Sequence, residues 1–291
     1  MSDTPDTPPD GFEFVVTGSG VELAVKRSGE GPAVLLIGGL GMPSVTWDIS
    51  GLPGSLVDAG FEVITYNARG VSPSSAPDAP YSVADLADDA AALLDHFEVG
   101  PTIVIGYSMG CYTAQSLLRS RRELVQALVL FAGLQPSPIS AMVGEMELGL
   151  IDRYGEVPRE VLVFEQLLTT LHHPLLQDPA TVTGWQQVLS AGYDSLWTAP
   201  EGFRGQLTAS QQWITSGEPT PEHLAAIDVP TLVLAFEHDL FFPPDLCAAT
   251  ARQIAGAEFA QIDGVGHGGI FTGPGDSAAR ITEFCRARRG L

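Results

Sequence analysis

An apolar run at 102–105 leads directly into Gly106-Tyr107-Ser108-Met109-Gly110, and helical spacing follows. A strand that turns this sharply into a helix forces a strained backbone on the residue at the tip. Small neighbours let the two elements approach, which leaves the Ser108 hydroxyl exposed above the end of the strand. The helix expected from Met109 onward directs its N-terminal amides toward that hydroxyl. The plainer reading is a glycine-rich turn with an incidental serine. The strand before and the helix after favour a nucleophile.

The surrounding chain supplies the rest of an α/β architecture. Residues 12–17 and 21–27 read as an opening hairpin around Gly18-Ser19-Gly20. Residues 33–37, 61–66, 102–105, 127–131 and 231–235 are short runs rich in apolar residues, the mark of strands buried on both faces, and 259–262 reads as the last strand. Between them, 82–97 carries apolar residues at helical spacing behind a Ser82/Asp85 capping-box start, and 277–288 reads as the last helix. The expected fold is a mostly parallel central sheet with helices on both faces.

The alternation breaks between about 136 and 230. Helical patterns at 140–154, 159–172, 184–193 and 206–214 occupy this stretch, with no strand run. The expected organisation is therefore a core of 11–136 and 223–291 interrupted by a helical insertion at 137–222. The insertion is rich in apolar residues, among them Met142, Met146, Leu162, Phe164, Leu168, Trp185 and Trp213, and about two thirds of such residues are expected to pack within it. The remainder would line an apolar pocket.

Charge and cysteine usage limit the partners. The 291 residues carry a formal net charge of −21, and Lys26 is the sole lysine. That field argues against nucleic acid and against anionic membranes. Cys111, Cys247 and Cys285 have no metal-site or disulfide-frame spacing, which fits reduced thiols in the cytoplasm and no bound metal. Cys111 reads as a small buried apolar residue on the helix behind Ser108. The acidic, proline-rich segment 1–10 reads as a disordered tail, with no signal-peptide pattern, and no apolar stretch is long enough to span a bilayer. The expected partner is a small apolar molecule, and the protein is expected to be a monomer or a homo-oligomer.

A serine hydroxyl needs a base, and the base needs an orienting carboxylate. Of six histidines, His267 stands in Asp263-Gly264-Val265-Gly266-His267-Gly268-Gly269, a flexible loop after the last expected strand. His172 and His173 fall in the insertion, His96 on a helix, and His223 in a loop without a partner signature. Asp239 follows the strand at 231–235, with Glu237 as the alternative acid. No carboxylate follows the strand at 127–131. The order Ser108, Asp239, His267 matches one known arrangement of this triad. The oxyanion donors would be the backbone amides of Met109 and Leu40, the latter in the loop Gly38-Gly39-Leu40-Gly41-Met42-Pro43. Gly39 and Tyr107 are expected to touch substrate.

With these sites in place the chain resembles the α/β-hydrolase superfamily. The resemblance rests on Gly106-Tyr107-Ser108-Met109-Gly110, Gly38-Gly39-Leu40 with Trp47 beyond, Asn67-Ala68-Arg69-Gly70, Asp239 and Gly266-His267. It implies an α/β-hydrolase fold with an inserted helical cap, and an acyl-enzyme mechanism without a cofactor. Two departures stand out. Gly38 replaces the histidine that usually supports the oxyanion loop, which would loosen or widen the site. Asn67 opens a segment that usually begins with aspartate. The expected activity is hydrolysis of an ester, lactone or thioester with an apolar part. The alternatives are a non-hydrolytic use of the triad, such as perhydrolysis or cyclisation, and a receptor-like member with little turnover.

Overall fold

The runs rich in apolar residues all become strands of one eight-stranded sheet in the computed structural model, which describes residues 11–290. The tail expected at 1–10 lies outside the described residues. The strands are β1 (Glu13–Val16), β2 (Glu22–Ser28), β3 (Ala33–Ile37), β4 (Glu62–Tyr66), β5 (Thr102–Tyr107), β6 (Val125–Phe131), β7 (Thr231–Phe236) and β8 (Glu258–Ile262). Their order across the sheet is β1-β2-β4-β3-β5-β6-β7-β8. β2 pairs antiparallel with both β1 and β4, and every other pairing is parallel.

Alternate residues of the central strands feed two separate apolar layers. Leu35, Val104, Leu128 and Val233 pack into one, while Leu36, Ile105, Val129 and Leu234 pack into the other. A sheet covered on both faces needs no polar alternation, so these strands read as unbroken apolar runs. Helices Val83–His96 and Gly110–Ser120 cover the first face, and Leu52–Asp58 with Pro274–Arg286 cover the second. The capping box at Ser82 forms with both reciprocal hydrogen bonds to Asp85. Helices Val45–Ser50 and Leu52–Asp58 have six and seven residues, too short for a helical period to declare them in the sequence.

Between β6 and β7 the chain leaves the sheet as helices Pro138–Tyr154, Arg159–Thr170, Pro179–Leu196 and Pro200–Thr215. Three of these start earlier than their apolar spacing predicts, each with proline in the first turn, where its missing N–H costs nothing. Ile151, Leu162, Phe203 and Leu207 form a small core among the inserted helices. Among the apolar residues of the insertion, Leu162, Phe203 and Trp213 are buried and Leu150, Trp185 and Trp197 half-buried. Met142, Met146, Phe164 and Leu168 are exposed, because each falls on the outward side of its helix. No helix among the described residues is long and apolar enough to cross a membrane.

Candidate active site

Ser108 stands between β5 and helix Gly110–Ser120 with φ at +53°, the left-handed region that L-residues avoid. The surroundings hold it there. Its N–H donates to the Phe131 carbonyl at 3.0 Å, and its own carbonyl accepts the Cys111 N–H at 2.9 Å. The flanking glycines are required by contact. A Cβ at Gly106 would lie 2.4 Å from the Gly110 carbonyl oxygen, and one at Gly110 would lie 2.2 Å from that of Ile37. Strand and helix can therefore meet only if both positions lack a side chain.

The ends of β7 and β8 bring the other two expected groups to this serine. His267 Nε2 is 3.1 Å from Ser108 Oγ, and His267 Nδ1 is 2.8 Å from Asp239 Oδ2. The Asp239 side chain is fully buried. Its second oxygen, Oδ1, accepts the N–H groups of Phe241 and Phe242 at 2.9 and 3.0 Å. A carboxylate fixed in this way accepts from Nδ1–H and leaves the Nε2 lone pair toward the serine. Glu237, the alternative acid, instead accepts the Gly264 N–H at 2.7 Å and so ties the histidine loop to the end of β7.

Tyr107 has a role that its neighbourhood to Ser108 concealed. Its ring stacks on the imidazole of His267 with centroids 5.6 Å apart, and its hydroxyl donates to the His267 carbonyl at 2.5 Å. Burial, reinforced by the charge of Asp239, raises the phenol well above its ordinary pKa, so it remains a neutral donor. Phe242 stacks on the imidazole and Phe241 meets it edge-on. Gly268, next to His267, donates its N–H to the Thr170 carbonyl at 2.9 Å, which joins the His267 loop to an inserted helix.

The loop after β3 approaches the serine from the other side. A Cβ at Gly39 would lie 3.0 Å from Ser108 Cβ. Neither the Leu40 nor the Met109 N–H donates to protein among the described residues, and both residues line the space above Ser108. With Gly38 in place of a histidine, the loop is tied from elsewhere. Gln206, wholly buried on helix Pro200–Thr215, accepts the Gly41 N–H and donates to the Arg69 carbonyl, both at 2.8 Å. Its sequence signal is faint, a glutamine among the apolar positions of an inserted helix. Asn67 supports the same loop by accepting the Ser44 N–H at 2.7 Å.

The remaining candidates lie elsewhere. Cys111 is buried, with its thiol 3.0 Å from the Gly106 carbonyl and its pKa pushed well up by burial. His96 is exposed, and His172 stacks on His238 rather than joining the serine. His223 does have partners, contrary to the loop reading. It sits on helix Pro221–Ala225, with Nδ1 2.9 Å from Glu218 and 2.8 Å from Arg119.

A cavity of about 910 Å³ opens over the serine, within the range of small-molecule sites. Gly39, Leu40, Tyr107 and Met109 line it together with Ser108 and His267, and the inserted helices form the opposite wall.

Comparison with known proteins gives one consistent family. BpoC of Mycobacterium tuberculosis, which carries a non-heme bromoperoxidase name, is 29% identical over 257 residues, covering 87% of this chain and 94% of its own. Rhodomycin D methylesterase DnrP of Streptomyces peucetius is 28% identical over 254 residues, covering 80% and 84%. The solved structure of a thermophilic esterase from Thermogutta terrifontis superposes with a TM-score of 0.78 at 24% identity, covering 96% of this chain and 99% of that one, a likeness of fold. The family model described as alpha/beta hydrolase fold matches residues 32–274, and the chain belongs to that family.

Proposed function

We propose that this protein is a serine hydrolase that cleaves an ester, lactone or thioester with an apolar part through an acyl-enzyme. The observation that carries this reading is the continuous relay from Asp239 Oδ2 to His267 at 2.8 Å and from His267 to Ser108 Oγ at 3.1 Å. His267 Nε2 takes the serine proton as Oγ attacks the carbonyl carbon. The resulting oxyanion falls between the Leu40 and Met109 amides, beside the N-terminus of helix Gly110–Ser120. His267 then protonates the leaving oxygen or sulfur, and a water deprotonated by the same nitrogen releases the acid. Asp239 fixes the tautomer and stabilises the imidazolium. In this reading the inserted helices act as a cap that sizes the acyl or alcohol pocket, and Gly39 contacts the reacting carbonyl. Tyr107 contributes its ring to the cavity wall while it holds the base.

A chain-length series of p-nitrophenyl esters tests the reading. Ser108→Ala is expected to lower kcat by on the order of 10³ or more. Undiminished turnover in that variant would overturn the mechanism. The likeness to BpoC favours one second use of the same groups, in which hydrogen peroxide replaces water in deacylation and yields a peracid. Peracid formation from acetate and peroxide, abolished in Ser108→Ala, would support that route.

A further inference from the structure

The inserted helices place two carboxylates on the cavity that the triad does not use. Glu147 lies on helix Pro138–Tyr154 and Glu165 on Arg159–Thr170, and both line the space above Ser108. Glu147 is 6% exposed, yet no hydrogen bond or ion pair holds its carboxyl among the described residues. Glu165 has only the Thr169 hydroxyl, 3.1 Å from Oε1. A carboxyl that faces the cavity without a protein partner loses its water when an apolar ligand fills that space, which is costly, so a hydrocarbon ligand alone gives it no reason to be there.

Glu147 senses the charge of Glu165. Burial, then the charge of Glu165, pushes Glu147 up to about 8. Burial likewise pushes Glu165 up to about 6, against the pull of Thr169 and of His267. At neutral pH the pair therefore holds about one proton and one negative charge. The missing partner is a hydrogen-bond donor, and a cationic one satisfies both carboxyls at once. A divalent metal is a poorer match, because no group of three or more His, Cys, Asp or Glu suited to a metal occurs among the described residues. Among the described residues, the basic side chains on the cavity wall are Lys26 and His267.

We infer that Glu147 and Glu165 form a subsite for a protonated amine, carried by an otherwise apolar ligand that also reaches Ser108. The ammonium donates to both carboxylates, and Glu147 gives up its proton to solvent as the cation arrives. That the ligand's other end is an ester, lactone or thioester rests on the hydrolase reading above; the amine subsite does not.

Calorimetric titration of the wild-type protein with n-hexylamine and with n-hexanol at pH 7.5 tests the subsite. Hexylamine is expected to bind at least about tenfold more tightly, as close charge pairs in dry sites do. It should also release protons, seen as a heat that changes between phosphate and Tris buffers. At pH 5, where both carboxyls are protonated, the preference should vanish. Glu147→Gln and Glu165→Gln should each move it toward parity. Equal or weaker binding of hexylamine by the wild type overturns the subsite whatever the variants do, and so does a preference that survives in both variants. Ester hydrolysis without amine preference would sink only this inference. Amine preference without ester hydrolysis would sink only the hydrolase reading.

Discussion

The hydroxyl of Tyr107 donates to the main-chain carbonyl of His267 at 2.5 Å, so the residue before Ser108 grips the residue whose imidazole faces the serine. The end of β5 and the loop after β8, far apart in the chain, are thereby set at one distance. Tyr107→Phe keeps the stacked ring and removes only this bond. Steady-state kinetics should show kcat reduced roughly tenfold with KM little changed, since the loss concerns alignment in the transition state. An unchanged kcat would mean that the loop holds His267 without help.

Asp239 accepts from His267 and from two backbone amides. Asp239→Asn should leave the protein folded but favour the wrong imidazole tautomer. The expected fall in kcat is on the order of 10⁴. Ester kinetics alongside circular dichroism would separate this from unfolding.

Gln206 bridges Gly41 and Arg69 across the base of the inserted helices. Gln206→Leu strands a buried N–H and a buried carbonyl, each costing about 1–3 kcal/mol. A lowered urea midpoint is expected together with a lower kcat, because the Leu40 amide rides on the same loop. Gln206→Glu should restore the bond from Gly41 but not the one to Arg69, and so fall between the two.

Glu147 and Glu165 both have pKa values raised above the ordinary 4.5, to about 8 and about 6. Between the unfolded and folded values the folded protein holds more protons than the unfolded chain. Stability is therefore greatest below pH 4.5 as far as these groups are concerned, and falls as pH rises to about 6 for Glu165 and about 8 for Glu147. Each contributes a slope of up to about 1.4 kcal/mol per pH unit within its window. Chemical denaturation at pH 5.5 and pH 8 should show Glu147→Gln gaining on the wild type as pH rises. A constant difference between the two proteins would contradict this.

The sheet was legible because parallel strands buried on both faces write themselves as runs rich in Val, Ile and Leu, as at 33–37 and 102–105. Ser108, Asp239 and His267 were legible for another reason: each stands in the loop or turn that follows such a run. What escaped was carried by polar side chains with long-range partners. Gln206 meets Gly41, 165 positions away, and no local pattern announces that bond. Glu147 is hidden in the same way, since an acidic residue on an amphipathic helix ordinarily faces water. The outward-facing Met142 and Phe164 mislead in the opposite direction, being apolar residues on the exposed side of their helices.

The helices between β6 and β7 also set the order in which the protein becomes chemically competent. Ser108 precedes them in the chain, whereas Asp239 and His267 follow. During synthesis from the N-terminus, a nascent chain can shape the turn at Ser108 and part of the sheet while its hydroxyl still lacks a base. The partners of that hydroxyl wait for β7 and β8, which follow the inserted helices in the chain. On the hydrolase reading proposed above, a chain that ends before β7 carries Ser108 without Asp239 and His267, and the hydroxyl meets its partners only in a molecule that already has its inserted helices.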